Sequence, residues 1–169
     1  DPHNQGAMYF DAVALGCAGQ FAASAEVGKR YIREFGEDPL IYDFWGGALV
    51  ALGRDEEAKT LLTRAMETSR GSGGVVGAGT LARLLQRSGH RAESHALLAR
   101  AIPVYEANLQ LYPDNLRRRC DLASLYAVDG DTTRFDSEWT RILHDLASEP
   151  NGSGGQYAYT AMDLAQSGE

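Results

Sequence analysis

The chain is short of positive charge. Lysine and arginine together number 16 against 23 aspartates and glutamates, a formal net charge of −7 in 169 residues. Nucleic-acid binders carry a basic footprint, so that class is excluded as an expectation, and repulsion from anionic headgroups argues against a membrane surface. No apolar run approaches the roughly 20 residues that span a bilayer. The opening Asp1-Pro2-His3-Asn4 has neither the basic start nor the apolar stretch of a secretory signal. Cysteine is scarce: Cys17 and Cys120 lie too far apart in sequence to suggest a disulfide framework. As small apolar thiols, both are expected inside packed helices. Four histidines offer little for metal binding. His90 and His95 are five residues apart and so do not share a helix face as an i, i+4 pair would. No segment shows the alternation of a strand.

What the chain does have is a period. Gly19, Gly53, Gly89, Gly130 and Gly168 each follow a stretch rich in Ala and Leu, at spacings of 34, 36, 41 and 38 residues. After three of them comes a polar stretch, Arg54-Asp55-Glu56-Glu57, His90-Arg91-Ala92-Glu93 or Asp131-Thr132-Thr133-Arg134, and then a second apolar stripe. A glycine in that setting can take the left-handed conformation that ends a helix. Acidic residues just beyond it favour the start of the next helix through its dipole. Tyr42, Trp45, Leu49 and Leu52 recur at three to four residues, as do Ala58, Leu61, Leu62, Ala65 and Met66 after the turn. Each unit therefore reads as an antiparallel helical hairpin.

The pattern resembles the tetratricopeptide repeat family. The second unit matches best, with Tyr42, Trp45, Gly46 and Leu49 before the glycine and Ala58, Leu62 and Ala65 after it. The third keeps Leu81, Ala82, Leu85, Ser94, Leu98 and Ala101. The fourth keeps Leu122, Ala123 and Tyr126 but has Phe135 where a small residue is usual. In the first, Asp11 and Gly28 stand where larger apolar groups belong. Small residues at Gly46, Ala82 and Ala123 let paired helices approach closely. The resemblance implies an all-α fold, a right-handed superhelix of about four hairpins plus a partial fifth. The units fall at about 5–38, 39–74, 75–115, 116–153 and 154–169 of a single 1–169 domain. Pro2, placed like the closing proline of a preceding unit, and Gly168, at the turn of a fifth, suggest a piece of a longer array.

Three irregularities stand out. The spacing of 41 predicts a lengthened second helix in the third unit, from about His90 to Leu111, with Pro103 kinking or breaking it. Gly71-Ser72-Gly73-Gly74 and Asn151-Gly152-Ser153-Gly154-Gly155 read as loops and flexion points, and Asn151-Gly152-Ser153 is a formal glycosylation acceptor. Gly77-Ala78-Gly79-Thr80-Leu81-Ala82 matches a dinucleotide fingerprint in letters only, because it follows a flexible linker and not a strand. Asp55, Glu56 and Glu57 form a helix start and no catalytic pair. Arg117-Arg118-Arg119, the densest basic run, reads as a solvated helix start or as a contact for an acidic ligand. No catalytic residue, metal site or cofactor is expected.

In repeat arrays of this kind the concave surface, lined by first helices, is the usual binding face. Carried over by offset from each glycine, the resemblance selects Tyr9, Phe10 and Val13, then Asp43, Phe44, Gly47 and Val50. It continues through Gly79, Thr80, Arg83 and Arg87 to Arg117, Asp121 and Ser124, and ends near Tyr159 and Met162. Three arginines against two aspartates leave this lining one positive charge in excess on an acidic chain. It should suit a protein or peptide ligand that is acidic or offers apolar anchors. Lys29 and Lys59 both fall outside first helices, so the lysine clamp by which some members hold chaperone C-termini is absent. The expected function is a non-enzymatic interaction scaffold, homo-oligomers being compatible with it. The alternative is a regulatory or oligomerising module of a larger polypeptide with a separate catalytic domain.

Overall fold

A computed structural model describes residues 4–148 as eight α-helices and one 3₁₀ turn, with no strand among the described residues. The helices are α1 (Gln5–Cys17), α2 (Phe21–Phe35), α3 (Pro39–Ala51), α4 (Asp55–Thr68), α5 (Ala78–Arg87), α6 (Arg91–Leu111), α7 (Leu116–Asp129) and α8 (Thr132–Ser148). The chain divides into two compact units, Asp1–Ser94 and His95–Glu169, the division falling within α6. The partial fifth hairpin, the acceptor at Asn151, Tyr159, Met162 and Gly168 lie outside the described residues, as do Pro2 and His3.

One turn recurs four times. Gly19, Gly53, Gly89 and Gly130 all have φ between 71° and 84°. In each, the glycine N–H donates to the carbonyl three residues back, and the next N–H to the carbonyl five before itself: Gln20 to Leu15, Arg54 to Leu49, His90 to Leu85 and Asp131 to Tyr126. This Schellman geometry uses the orphan carbonyls of the ending helix. The residue after the glycine then accepts the first bond of the following helix, from Ser24, Ala58, Ser94 and Phe135. The starts of three first helices, α1, α3 and α7, are fixed by side chains: Asn4 accepts from the N–H of Ala7, Asp38 from Leu40 and Ile41, and Asn115 from Arg118. Pro39 occupies the first position of α3, where its missing N–H has no partner to lose.

The two helices of a hairpin cross where the residue seven before the glycine meets the one five after it. These pairs are Ala12 with Ser24, Gly46 with Ala58 and Ala82 with Ser94. Ser24 donates to the Ala12 carbonyl at 2.8 Å and Ser94 to that of Ala82 at 3.0 Å, so each buried hydroxyl is satisfied across the crossing. At Gly46 the space is taken from the other side: a methyl there would lie 2.8 Å from Cγ of Leu62. In the last hairpin the pair is Ala123 with Phe135. Phe135 stacks on Trp139 with ring centroids 6.0 Å apart, and both pack against Cys120, Ala123 and Ile142.

Four expectations need correction. Gly28 is buried, and a Cβ on it would lie 3.1 Å from Cβ of Trp45. It marks the place where the indole of the following hairpin is received, so the first unit is not degraded there. Pro103 does not break α6, which continues to Leu111. Pro103 and Ala99, four residues before it, are both exposed, so water can serve the carbonyl that the proline leaves without a donor. Cys17 is exposed and only Cys120 is buried. The glycine linker after α4 is pinned: buried Ser69 donates to the Met66 carbonyl and accepts from the N–H of Val76, and its carbonyl accepts from Gly74.

Candidate functional site

In the first unit α1 lies beside α3, and α3 beside α5. The residues selected on α1, α3 and α5 therefore lie on neighbouring helices. The α1–α3 end of this set is aromatic. The Tyr9 ring meets Phe44 edge-on at 5.8 Å between centroids and 81°, and Phe10 at 5.5 Å and 85°. Both separations and angles suit the quadrupole attraction of aromatic edges for faces. Phe10 is 61% exposed, so this cluster presents an apolar surface to solvent. Val13 is half-buried one turn further along α1.

Towards α5 the set becomes polar. Thr80 donates to Asp43 at 3.0 Å, joining α5 to α3, and Gly77 caps the start of α5 with a left-handed φ of 81° that favours glycine. The supposed dinucleotide glycine thus has a local structural use. Arg87, at the last turn of α5, forms an ion pair with Asp55 at the first turn of α4. Arg83 is exposed and projects from the same helix. The structure therefore brings Tyr9, Phe10 and Phe44 together, and Asp43 with Thr80. Gly47 is half-buried on α3 between these groups.

Arg117 and Asp121 lie on α7 in the second unit, both half-buried. The basic run around Arg117 is not a solvated helix start throughout. Arg119 is 9% exposed; it bonds Glu138 at 2.7 Å and the Pro113 carbonyl at 2.6 Å, with Asp145 3.6 Å from its Nε. Arg118 lies over the Tyr112 ring, 4.2 Å from its centroid. A second polar node joins α6, α7 and α8: Tyr126 donates to Glu106 at 2.7 Å, and Arg134 reaches the same carboxylate at 3.0 Å while lying over the Tyr126 ring. Burial first, then the Glu106 carboxylate, push the Tyr126 phenol up to about 12.

Sequence reasoning missed Asp55 as a partner of the face, because an acidic residue at a helix start needs no other explanation. It missed the burial of Arg119 because three arginines in a row carry no periodic signal. The described histidines are exposed: His90 bonds Glu93, His95 bonds Asp129 and His144 lies beside Asp145. Among the described residues no group of three His, Cys, Asp or Glu side chains is placed to hold a metal, and no helix is long and apolar enough to cross a membrane.

The described hairpins, with their left-handed glycine turns and small residues at each crossing, define an all-α helical repeat. No protein-family model and no curated protein matches the chain. Two solved structures are similar to it over most of their length. One, titled "MamA MSR-1 C2", is 17% identical, with 97% of this chain and 90% of that chain covered and a TM-score of 0.49. The other, titled "MamA RS-1 ArsTM double mutant", is 15% identical, with coverages of 96% and 95% and a TM-score of 0.45.

Proposed function

We propose that the protein is a non-enzymatic interaction scaffold, and that the face formed by α1, α3 and α5 of the first unit binds an extended segment of another protein. The observation that carries this reading is the Tyr9–Phe10–Phe44 cluster. Phe10, left 61% exposed against Tyr9, whose ring in turn meets Phe44, is the kind of rigid apolar anchor on which interfaces concentrate their binding energy. Arg83 and Arg87 at the other end supply planar donors for carboxylates. The Arg87–Asp55 pair does not remove Arg87 from use, since exposed ion pairs contribute little and exchange readily. In the second unit α7 carries Asp121 at the offset from its glycine that Phe10, Phe44 and Thr80 hold in theirs, with Arg117 one turn before it.

The test is a peptide array probed with the intact protein and with two variants, Phe10→Ala/Phe44→Ala and Arg83→Glu/Arg87→Glu, each checked for helicity by circular dichroism. Loss of tenfold or more in affinity with helicity retained supports the face. Peptides captured equally by all three proteins would place the binding surface elsewhere.

A further inference from the structure

Gly46 and Gly47 are neighbours in the interior of α3, and among the described residues only Gly46 has a packing reason to be glycine. A methyl on Gly46 would collide with Leu62. Among the described residues, a methyl on Gly47 would meet nothing within 4 Å beyond its own helix and sequence neighbours. Nor does Gly47 have the positive φ that requires glycine. Glycine in a helix interior is unfavourable relative to alanine, so Gly47 weakens α3 with no return from packing or backbone geometry. It sits one turn after Phe44 and one before Val50, both half-buried. Val13 and Arg83 hold the same offset, six residues before their turn glycines, on α1 and α5. Gly47 is thus the bare middle rung between an apolar and a cationic one.

We infer that Gly47 is the floor on which a partner's chain lies, the partner being an extended acidic peptide with an apolar side chain seated over Gly47 and a carboxylate directed at Arg83. The absence of a Cβ lets the peptide approach the helix closely. The wall beside it is Phe44, backed by Tyr9. Neighbouring helices are about 8–10 Å apart, and an extended chain advances about 3.3 Å per residue. The carboxylate therefore belongs about three residues from the seated side chain, giving an apolar–x–x–acidic pattern. Arg83 is the exposed cation on the neighbouring rung, and a carboxylate is its electrostatic complement.

This inference rests on the binding face proposed above, and the experiment separates the two. Fluorescein-labelled octapeptides carrying Leu-x-x-Glu or Leu-x-x-Lys on an Ala/Ser background are titrated into the intact protein by fluorescence anisotropy. The Glu peptide should bind at least tenfold more tightly than the Lys peptide. Gly47→Ala should lose tenfold or more for the Glu peptide while melting at or above the wild-type temperature, by up to about 4 °C. Gly47→Ala binding within twofold of wild type, or melting below it, overturns the assignment. If Phe44→Ala and Arg83→Glu weaken binding and Gly47→Ala does not, the face stands and the floor falls. If the Glu peptide binds and none of the three weakens it, both fall. Absence of binding by the wild type at millimolar peptide overturns the assigned ligand chemistry.

Discussion

Gly28 on α2 and Trp45 on α3 meet so closely that a Cβ at Gly28 would stand 3.1 Å from Cβ of Trp45. The contact joins the first hairpin to the second, as the fit of Leu62 against Gly46 joins the two helices of the second. Gly28→Leu should destabilise the protein by about 1–3 kcal/mol through overpacking. Gly46→Ala should do likewise, because the added methyl would stand 2.8 Å from Cγ of the fully buried Leu62. A fall in the urea midpoint for both checks this. An unchanged midpoint for Gly28→Leu would mean that α2 and α3 can separate at no cost.

The turn glycines make a different prediction, since none of the described residues stands within 4 Å of a Cβ at Gly53 or Gly89. Gly89→Ala should cost about 1–2 kcal/mol from the left-handed backbone alone, with no steric contribution. Gly89→Asn should recover part of that loss, because asparagine tolerates this region better. Equal effects of Ala and Asn in chemical denaturation would show that the turn had changed its conformation.

Arg119 and Glu138 form an ion pair with both side chains about nine-tenths buried. Arg119→Ala should cost about 3–5 kcal/mol, because it strands the Glu138 carboxylate in a desolvated place. Arg119→Met/Glu138→Leu should recover most of this, since removing both charges also removes the cost of burying them. Thermal unfolding of the single and double variants measures the difference. A double variant no better than the single would show that the pair itself carries the stability.

Burial pushes the Cys120 thiol up to about 11, from an ordinary value of 9.0, and the Tyr126 phenol to about 12 from 10.0. Both shifts favour the protonated form in the folded chain. Their stabilisation is complete below the unfolded values and is lost as pH rises through the folded ones, so stability should decline between about pH 9 and 12. Tyr126→Phe should flatten the upper part of that decline in an alkaline denaturation series. At pH 8 a thiol reagent should modify Cys17 rapidly and Cys120 only after denaturant is added. Two equally fast thiols would contradict the burial of Cys120.

The hairpins were legible in the sequence because their causes are local. A left-handed turn admits glycine with little competition, and apolar residues at three to four positions mark a helix. The lengthened α6 followed from spacing alone. Pro103 misled because its effect depends on whether the freed carbonyl reaches water, which the residues around it in space decide. Gly28 misled for the same reason: its use lies in Trp45, 17 residues away.

The candidate face divides along the same line. Its members on α1, α3 and α5 could be chosen from offsets, since first helices repeat in register. The sequence by itself determined an all-α repeat of glycine-turned hairpins, its excess of acid, and which residues share a helix stripe. Only the tertiary structure decided that Tyr9 meets Phe44, that Asp43 is tied to Thr80, that Arg87 faces Asp55 and that Arg119 is inside. Helical periodicity fixes the direction of a side chain about its own axis, and the partner it finds depends on how far neighbouring helices approach. That distance is set by the small residues at the crossings, which is why Gly46 is filled by Leu62 while Gly47, one residue on, is open.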